Sequence, residues 1–227
     1  MKSITLSPQM PNLEEYNMQL TATDVTKVIK GKTVLSHINL SLNSGYVYGF
    51  VGPNASGKTM LFRVLSGLIS ATTGIVSLNG KILKKAFPVL PDLGILLENV
   101  SLYPELTGYE NLDYLAKFNH KIDKAGIIEA LQRVGLDPAD KRKYGKYSLG
   151  MKQRLAIAQA VMERPGILML DEPTNALDQD SVKLIRGLIK SEKDRGAIVL
   201  LASHNKEDIQ LLCDHTFTMD GGAIVGR

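Results

Sequence analysis

Tyr46-Val47-Tyr48-Gly49-Phe50-Val51-Gly52-Pro53-Asn54-Ala55-Ser56-Gly57-Lys58-Thr59-Met60-Leu61-Phe62 is the stretch that decides the fold. Residues 46–51, apolar and aromatic but for one glycine, read as a short strand that ends at Gly52. From Thr59 onward, to about residue 68, apolar side chains return at helical spacing. Between strand and helix lies G-x-x-x-x-G-K-[ST], filled by Gly52, Pro53, Asn54, Ala55, Ser56, Gly57, Lys58 and Thr59. A glycine-rich turn of this kind lets the backbone wrap a phosphate closely, its N–H groups pointing inward at a helix N-terminus. Lys58 then sets a compact positive charge on the β- and γ-phosphates, and the Thr59 hydroxyl is a ligand for Mg²⁺. A chance glycine-rich turn needs neither flanking element, and here both are present.

A second stretch supplies what hydrolysis requires. Residues 166–173, Gly-Ile-Leu-Met-Leu-Asp-Glu-Pro, read as an apolar strand ending in two acids. At the carboxyl end of a strand in an α/β sheet, both acids lie beside the phosphate loop, where ligands bind. Asp171 suits Mg²⁺, directly or through water, and Glu172 suits a general base or a positioner of the attacking water. Alone, such a pair is an ordinary turn and helix cap. Beside residues 52–59 it reads as chemistry.

Outward from these motifs the chain divides by pattern. Residues 1–17 hold two prolines and no sustained periodicity, and read as an extended arm. Strand-like patterning starts at Gln19, with a Gly31-Lys32 turn between two runs and a half-buried alternation over residues 35–42. Residues 75–82 read as a hairpin about Asn79-Gly80. Residues 99–164 have helical character. Thr107-Gly108-Tyr109-Glu110 fits a capping box opening a helix to about Phe118, a second covers about 124–134, and a third starts at Ser148. Beyond, residues 167–171, 197–202 and 216–219 are buried-strand candidates separated by helical segments. Apolar strands alternating with helices predict an α/β fold with a largely parallel sheet covered on both faces.

Composition sets the bounds. The 227 residues, 44% hydrophobic and 22% charged, fit one domain with a modest insertion and a sizeable core. The formal net charge of +4 suits phosphate ligands or an anionic membrane face without demanding either. The single cysteine, Cys213, has no partner for an internal disulfide; it reads as a packing residue on a helix in a reducing compartment. The longest apolar stretches, residues 167–170 and 197–202, fall far below the roughly 18 residues a bilayer span needs. No secretory signal opens the sequence. A membrane role therefore implies docking on another chain.

Tyr147-Ser148-Leu149-Gly150-Met151-Lys152-Gln153-Arg154-Leu155 resembles the signature L-S-G-G-Q-x-Q-R of the ATP-binding cassette family, with Leu149 for the first glycine and Met151 for the glutamine. With the phosphate loop and the acidic pair, this makes residues 18–227 similar to that family's ATP-binding domain. The resemblance implies a P-loop nucleoside-triphosphatase fold: a mostly parallel central sheet, an antiparallel β subdomain and an inserted helical subdomain at about 99–164. It implies ATP and Mg²⁺ as cofactors, with two nucleotides sandwiched between two chains, a homodimer or a heterodimer. Ser148 and Gly150 would then meet the opposite subunit's phosphate. Asn175-Ala176-Leu177-Asp178 resembles the loop along the dimer interface, and Ser203-His204 the switch histidine that contacts the γ-phosphate. The implied nucleotide contacts are Ile29, Gly52, Pro53, Asn54, Ala55, Ser56, Gly57, Lys58, Thr59, Met60, Ser148, Gly150 and Asp178. Thr59, Glu98 and Asp171 are the implied metal ligands, and Glu172 and His204 the catalytic pair. His37, His120 and His215 match no motif.

Three departures matter. Glu98 stands where most members have glutamine, and is expected to link the nucleotide site to the membrane partner. Ile29 occupies the position of the adenine-stacking aromatic, which predicts relaxed base selectivity or weaker ATP affinity. Ala55 replaces a frequent loop glycine, a change the pattern tolerates. The Ser148-Leu149-Gly150-Met151 signature, Glu98 and residues 103–112 (Tyr-Pro-Glu-Leu-Thr-Gly-Tyr-Glu-Asn-Leu) resemble the branch serving exporters. The expected protein is thus a transport ATPase on the inner, cytoplasmic face of the cell membrane, bound to a transmembrane permease subunit. The alternatives are a soluble cassette acting on nucleic acid or ribosomes, and a hydrolysis-impaired regulatory subunit. With one cassette and neither heptads nor a basic block, no nucleic-acid partner is expected.

Overall fold

In the computed structural model, which describes residues 18–97 and 101–227, the elements run β1 Gln19–Ile29, β2 Lys32–Asn43, β3 Tyr46–Val51, α1 Lys58–Ser66, β4 Thr73–Leu78, β5 Lys81–Ile82 and β6 Leu93–Leu96. Then follow α2 Gly108–Asn119, α3 Lys124–Arg133, α4 Leu149–Val161, β7 Ile167–Asp171, α5 Gln179–Asp194, β8 Ile198–Ala202, α6 Lys206–Leu212, β9 His215–Asp220 and β10 Ala223–Gly226. The arm at residues 1–17 and Glu98 lie outside the described residues.

The strands form two sheets. The larger has the order β10-β9-β3-β8-β7-β6, and every pairing in it is parallel except the edge hairpin β9–β10. The smaller, β2-β1-β4-β5, is antiparallel throughout. The expected α/β architecture, with its largely parallel centre and antiparallel companion, is therefore present. In the sheet only β8 separates β3 from β7, and all three run parallel, so the phosphate loop after β3 and the acids after β7 end on the same edge.

Strand β7 shows how the sheet is held. All five of its residues are buried. Because side chains alternate along a strand, Leu168 and Leu170 enter one core while Ile167 and Met169 enter the other. The first core collects Val47, Leu96, Val199 and Leu201 from the sheet and packs them under α2–α5. The second joins Tyr48, Phe50, Ile198 and Leu200 to α1 and the antiparallel sheet. Each fully buried aliphatic side chain is worth about 1.5–3 kcal/mol, so a strand feeding two cores is costly to disturb.

Local chemistry fixes most boundaries. Thr107 and Glu110 form the reciprocal capping box at the start of α2, and Ser148 caps α4 through the Met151 N–H. Asn79 and Gly80 have φ of 49° and 73°, the two positive values a tight β4–β5 turn requires. The first hairpin differs by one residue from the sequence reading. Its turn is Lys30-Gly31 (φ 48° and 78°), Ile29 pairs with Lys32, and Lys32 opens β2 instead of belonging to the turn. Two consecutive positive-φ residues define such a turn, and Gly31 supplies only the second. Cys213 sits at the end of α6 rather than within it, its sulfur against Gly49, where an added Cβ would lie 2.7 Å from Sγ. Burial pushes its thiol up to about 12, as expected for a packing residue.

Candidate active site

The turn from β3 into α1 is built on alternating backbone hands. Gly52, Ala55 and Gly57 all have positive φ, at 153°, 64° and 107°. A Cβ at Gly52 would be driven into the Met219 carbonyl oxygen, so glycine is required there by space. Ala55 accepts the left-handed conformation without glycine's freedom. Gly57 caps α1 with no side-chain bond, which leaves the first N–H groups of the helix turned to the loop. Lys58 is largely buried and folds back into the loop, donating from Nζ to the carbonyls of Gly52 (2.8 Å) and Pro53 (3.0 Å) and to Ser56 Oγ (3.4 Å). The ammonium is thereby held where a phosphate would enter.

The acids stand beside it. Thr59 donates its hydroxyl to Asp171 Oδ2 at 2.5 Å, joining the loop to the end of β7. Glu172 follows with φ of 51°, a left-handed conformation unusual for a residue carrying a Cβ. Its backbone N–H donates to Ala202 O, and its carboxylate reaches toward the loop after β8. There the His204 backbone N–H donates to Glu172 Oε1 (3.1 Å). His204 Nδ1 lies 2.8 Å from Glu172 Oε2, yet that oxygen, although buried, receives no well-directed hydrogen bond. A half-free carboxylate oxygen next to an exposed imidazole has the donor and acceptor needed to hold and deprotonate a water.

A cavity of about 660 Å³ connects these groups. Asn54, Ala55, Ser56, Gly57, Lys58, Thr59 and Met60 wall it together with Asp171 and Glu172. Gly52 lies off that wall and shares a neighbouring cavity with His204. Ile29 also lies off it. The chain turns at Lys30-Gly31, and the wall is made instead by Lys32, Thr33 and Val34 of β2. Sequence reading missed these three, as well as Arg63, Gly221 and Gly222. Arg63 stands one turn along α1 from Thr59, a spacing that places two residues on one face. Gly221-Gly222 is a hairpin signal whose contacts are long-range: Gly222 N–H donates to Ser56 O (3.0 Å), and Ser36 N–H to Gly222 O (2.9 Å).

Ser148, Gly150 and Asp178 are not among the residues of that wall. Gly150 lies against the carbonyl of Ala176, 3.0 Å from where its Cβ would be. Asp178 caps α5, and the Ser181 N–H it receives holds its carboxyl below the usual range. Leu149, at the tip of α4, is 70% exposed. Behind that tip, Gln153 Nε2 donates to the carbonyls of Glu172 (3.1 Å) and Pro173 (3.2 Å). A further cavity of about 590 Å³ runs between Leu149, Gln153 and the two acids.

A parallel sheet, a phosphate loop at a helix start, and an acid pair on the next strand but one define a P-loop nucleotide hydrolase. Residues 35–175 match the ABC transporter family. The chain is 43% identical over 201 residues to the ABC transporter ATP-binding protein YybJ of Bacillus subtilis (strain 168), covering 88% of this chain and 92% of that one. It is 38% identical over 208 residues to the bacitracin transport ATP-binding protein BcrA of Bacillus licheniformis, covering 91% of this chain and 68% of BcrA. The fold matches the dimeric post-hydrolysis structure of the ATP-binding cassette MJ0796, bound to ADP and Pi, with a TM-score of 0.82 at 23% identity over 91% of this chain and 97% of the other. The chain belongs to the ABC transporter family of ATP-binding proteins and is an ATPase of that type. Among the described residues no helix is long and apolar enough to cross a membrane.

Proposed function

We propose that residues 18–227 form the motor of a membrane exporter: a cassette that closes on a second cassette around ATP, hydrolyses it, and drives a separate membrane-spanning permease. The observation that carries this reading is the convergence on one cavity wall of Lys58, Thr59, Asp171 and Glu172, with His204 on the far side of Glu172. Likeness to BcrA, a bacitracin transport ATP-binding protein, supports a role in transport, and export is the direction that the resemblance of residues 103–112 and 148–151 implies. A place on the inner face of the cell membrane, against that permease, is part of the same reading.

Lys58 binds the β- and γ-phosphates by releasing its loop carbonyls, and the α1 N–H groups complete the cradle. Glu172 accepts the proton of the attacking water, while His204 orients that water and meets the γ-phosphate. The metal fits the donor set: one hydroxyl and one carboxylate already within hydrogen-bonding distance are the hard oxygens that Mg²⁺ takes alongside substrate phosphates. Bound by Thr59 and Asp171, Mg²⁺ would supply charge neutralisation at the β- and γ-oxygens. The position of Ser148, Gly150 and Asp178 away from the phosphate-loop wall supports their action on a partner chain's nucleotide.

The test is the rate of Mg²⁺-ATP hydrolysis by the purified chain as a function of its concentration, with Glu172→Gln as control. A rate rising faster than linearly, and lost in the control, supports a dimeric motor. A rate per chain that is independent of concentration refutes the sandwich, and no ATP binding refutes the site.

A further inference from the structure

Glu172 and His204 lie on two different loops, and one buried carboxylate fastens those loops together. Thr174, two residues beyond Glu172, donates its hydroxyl to Asp208 Oδ2 at 2.5 Å. Asp208 has no exposed surface and lies in α6, the helix that begins just after His204. Asn205 caps that helix, accepting from the N–H groups of Glu207 (2.9 Å) and Asp208 (3.4 Å), so the histidine is four residues from the carboxylate through rigid backbone. Arg186 of α5 completes the unit: its Nε donates to Asp208 Oδ1 at 2.7 Å, its Nη2 lies 2.6 Å from the same oxygen, and Nη2 also reaches Glu207 at 3.0 Å. The His204 N–H to Glu172 Oε1 bond closes the ring.

Packing does not require an ionised group at this place. An apolar residue of similar volume would avoid the desolvation penalty of a buried ion pair. What the carboxylate adds is direction, because its two oxygens address two elements at once, Oδ2 the segment after Glu172 and Oδ1 the helix α5. Neither Thr174, Arg186 nor Asp208 is among the residues that wall the phosphate-loop cavity.

We propose that Asp208, with Thr174 and Arg186, is a positioning unit that sets the separation of Glu172 and His204. This rests on the reading of those two as the hydrolytic pair. Asp208 touches no reacting atom; it acts through the two loops. Since the phosphate loop is not part of the ring, loosening it changes the chemical step and leaves nucleotide binding alone.

The experiment compares Thr174→Val, which removes the hydroxyl at similar volume, with Thr174→Ser, which keeps it. Misplacement of a catalytic group by about 1 Å costs up to roughly 100-fold in rate, so Thr174→Val is expected to lower kcat by about tenfold or more. KM for ATP should stay within about twofold, and Thr174→Ser should restore the wild-type rate. In the nucleotide-free chain, amide hydrogen exchange at His204 should be about tenfold faster in Thr174→Val than in the other two proteins. Wild-type kcat together with unchanged exchange at His204 in Thr174→Val overturns the proposal. So does a loss in Thr174→Ser equal to that in Thr174→Val. Should the unaltered chain hydrolyse no ATP, the motor reading falls, and exchange at His204 alone decides the positioning unit: faster exchange in Thr174→Val upholds it, unchanged exchange overturns it.

Discussion

Replacing Glu172 by glycine and by alanine should reverse the usual order of stability of those two residues. At an ordinary position outside the left-handed region, glycine is less stable than alanine by about 0.5–1 kcal/mol, through the extra freedom of the unfolded chain. Glu172 has φ of 51°, and a Cβ in that conformation costs roughly 1–2 kcal/mol. Both variants lose the carboxylate and its contact with the exposed His204 equally, so that contribution cancels in the comparison. Subtracting about 0.7 from about 1.5 kcal/mol leaves the glycine variant the more stable by about 0.8 kcal/mol. For a chain of this size about 2–4 °C of melting temperature corresponds to each kcal/mol, so Glu172→Gly should melt roughly 2–3 °C above Glu172→Ala. Differential scanning calorimetry on the nucleotide-free proteins measures this, and hydrolysis should be absent in both. If the alanine variant melts higher, the backbone at Glu172 is not strained and the reasoning fails.

Gly52→Ala pushes a methyl group into the Met219 carbonyl; overpacking of this kind costs about 1–3 kcal/mol, and both a lower melting temperature and loss of nucleotide binding are expected in a thermal-shift titration with ATP. The cavity wall carries Lys32, Val34 and Arg63 and, among the described residues, no aromatic side chain. Without stacking worth about 0.5–1.5 kcal/mol, kcat/KM for GTP should lie within about tenfold of that for ATP, and a hundredfold preference for ATP would contradict this. The Thr107 backbone N–H, then the Thr107 hydroxyl and Lys143, hold the Glu110 carboxyl at about 2, against 4.5 when free. A depressed carboxylate contributes stability that is complete above the free value and is lost as pH falls through the folded one. The gap in urea midpoint between wild type and Glu110→Gln should therefore be fully open above pH 4.5 and close as pH falls toward 2. A gap independent of pH would count against the charged capping box.

The elements that sequence revealed are those whose information is local. The strand at residues 167–171 is uninterrupted apolar, the capping box needs only Thr107 and Glu110, and the phosphate loop carries its own glycines. What stayed hidden depends on pairs far apart in the chain. Gly222 reaches the site through Ser36 and Ser56, and no spacing rule joins those positions. Asp208 in a short polar helix reads as a surface acid until Thr174 and Arg186 are brought to it. Ile29 shows the converse: its place in the family pattern points it toward the nucleotide, whereas the cavity beside the phosphate loop is walled by Lys32, Thr33 and Val34 of β2, on the far side of the turn. Similarly, nothing local marks Glu172 as left-handed, since that conformation is imposed by the Ala202 carbonyl and the histidine loop.

The two bonds from Gln153 to the carbonyls of Glu172 and Pro173 make the start of α4 and the acid one mechanical piece. Leu149 is the outer end of that piece and Glu172 the inner end. In the two-chain sandwich proposed above, each outer end would face the other chain's nucleotide. A push on one tip would then tug the main chain at the acid serving the opposite cleft's neighbour, and the same would hold in reverse. In the proposed pair the two levers would then be linked, and the contents of one cleft would bear on the main chain at the acid of the other.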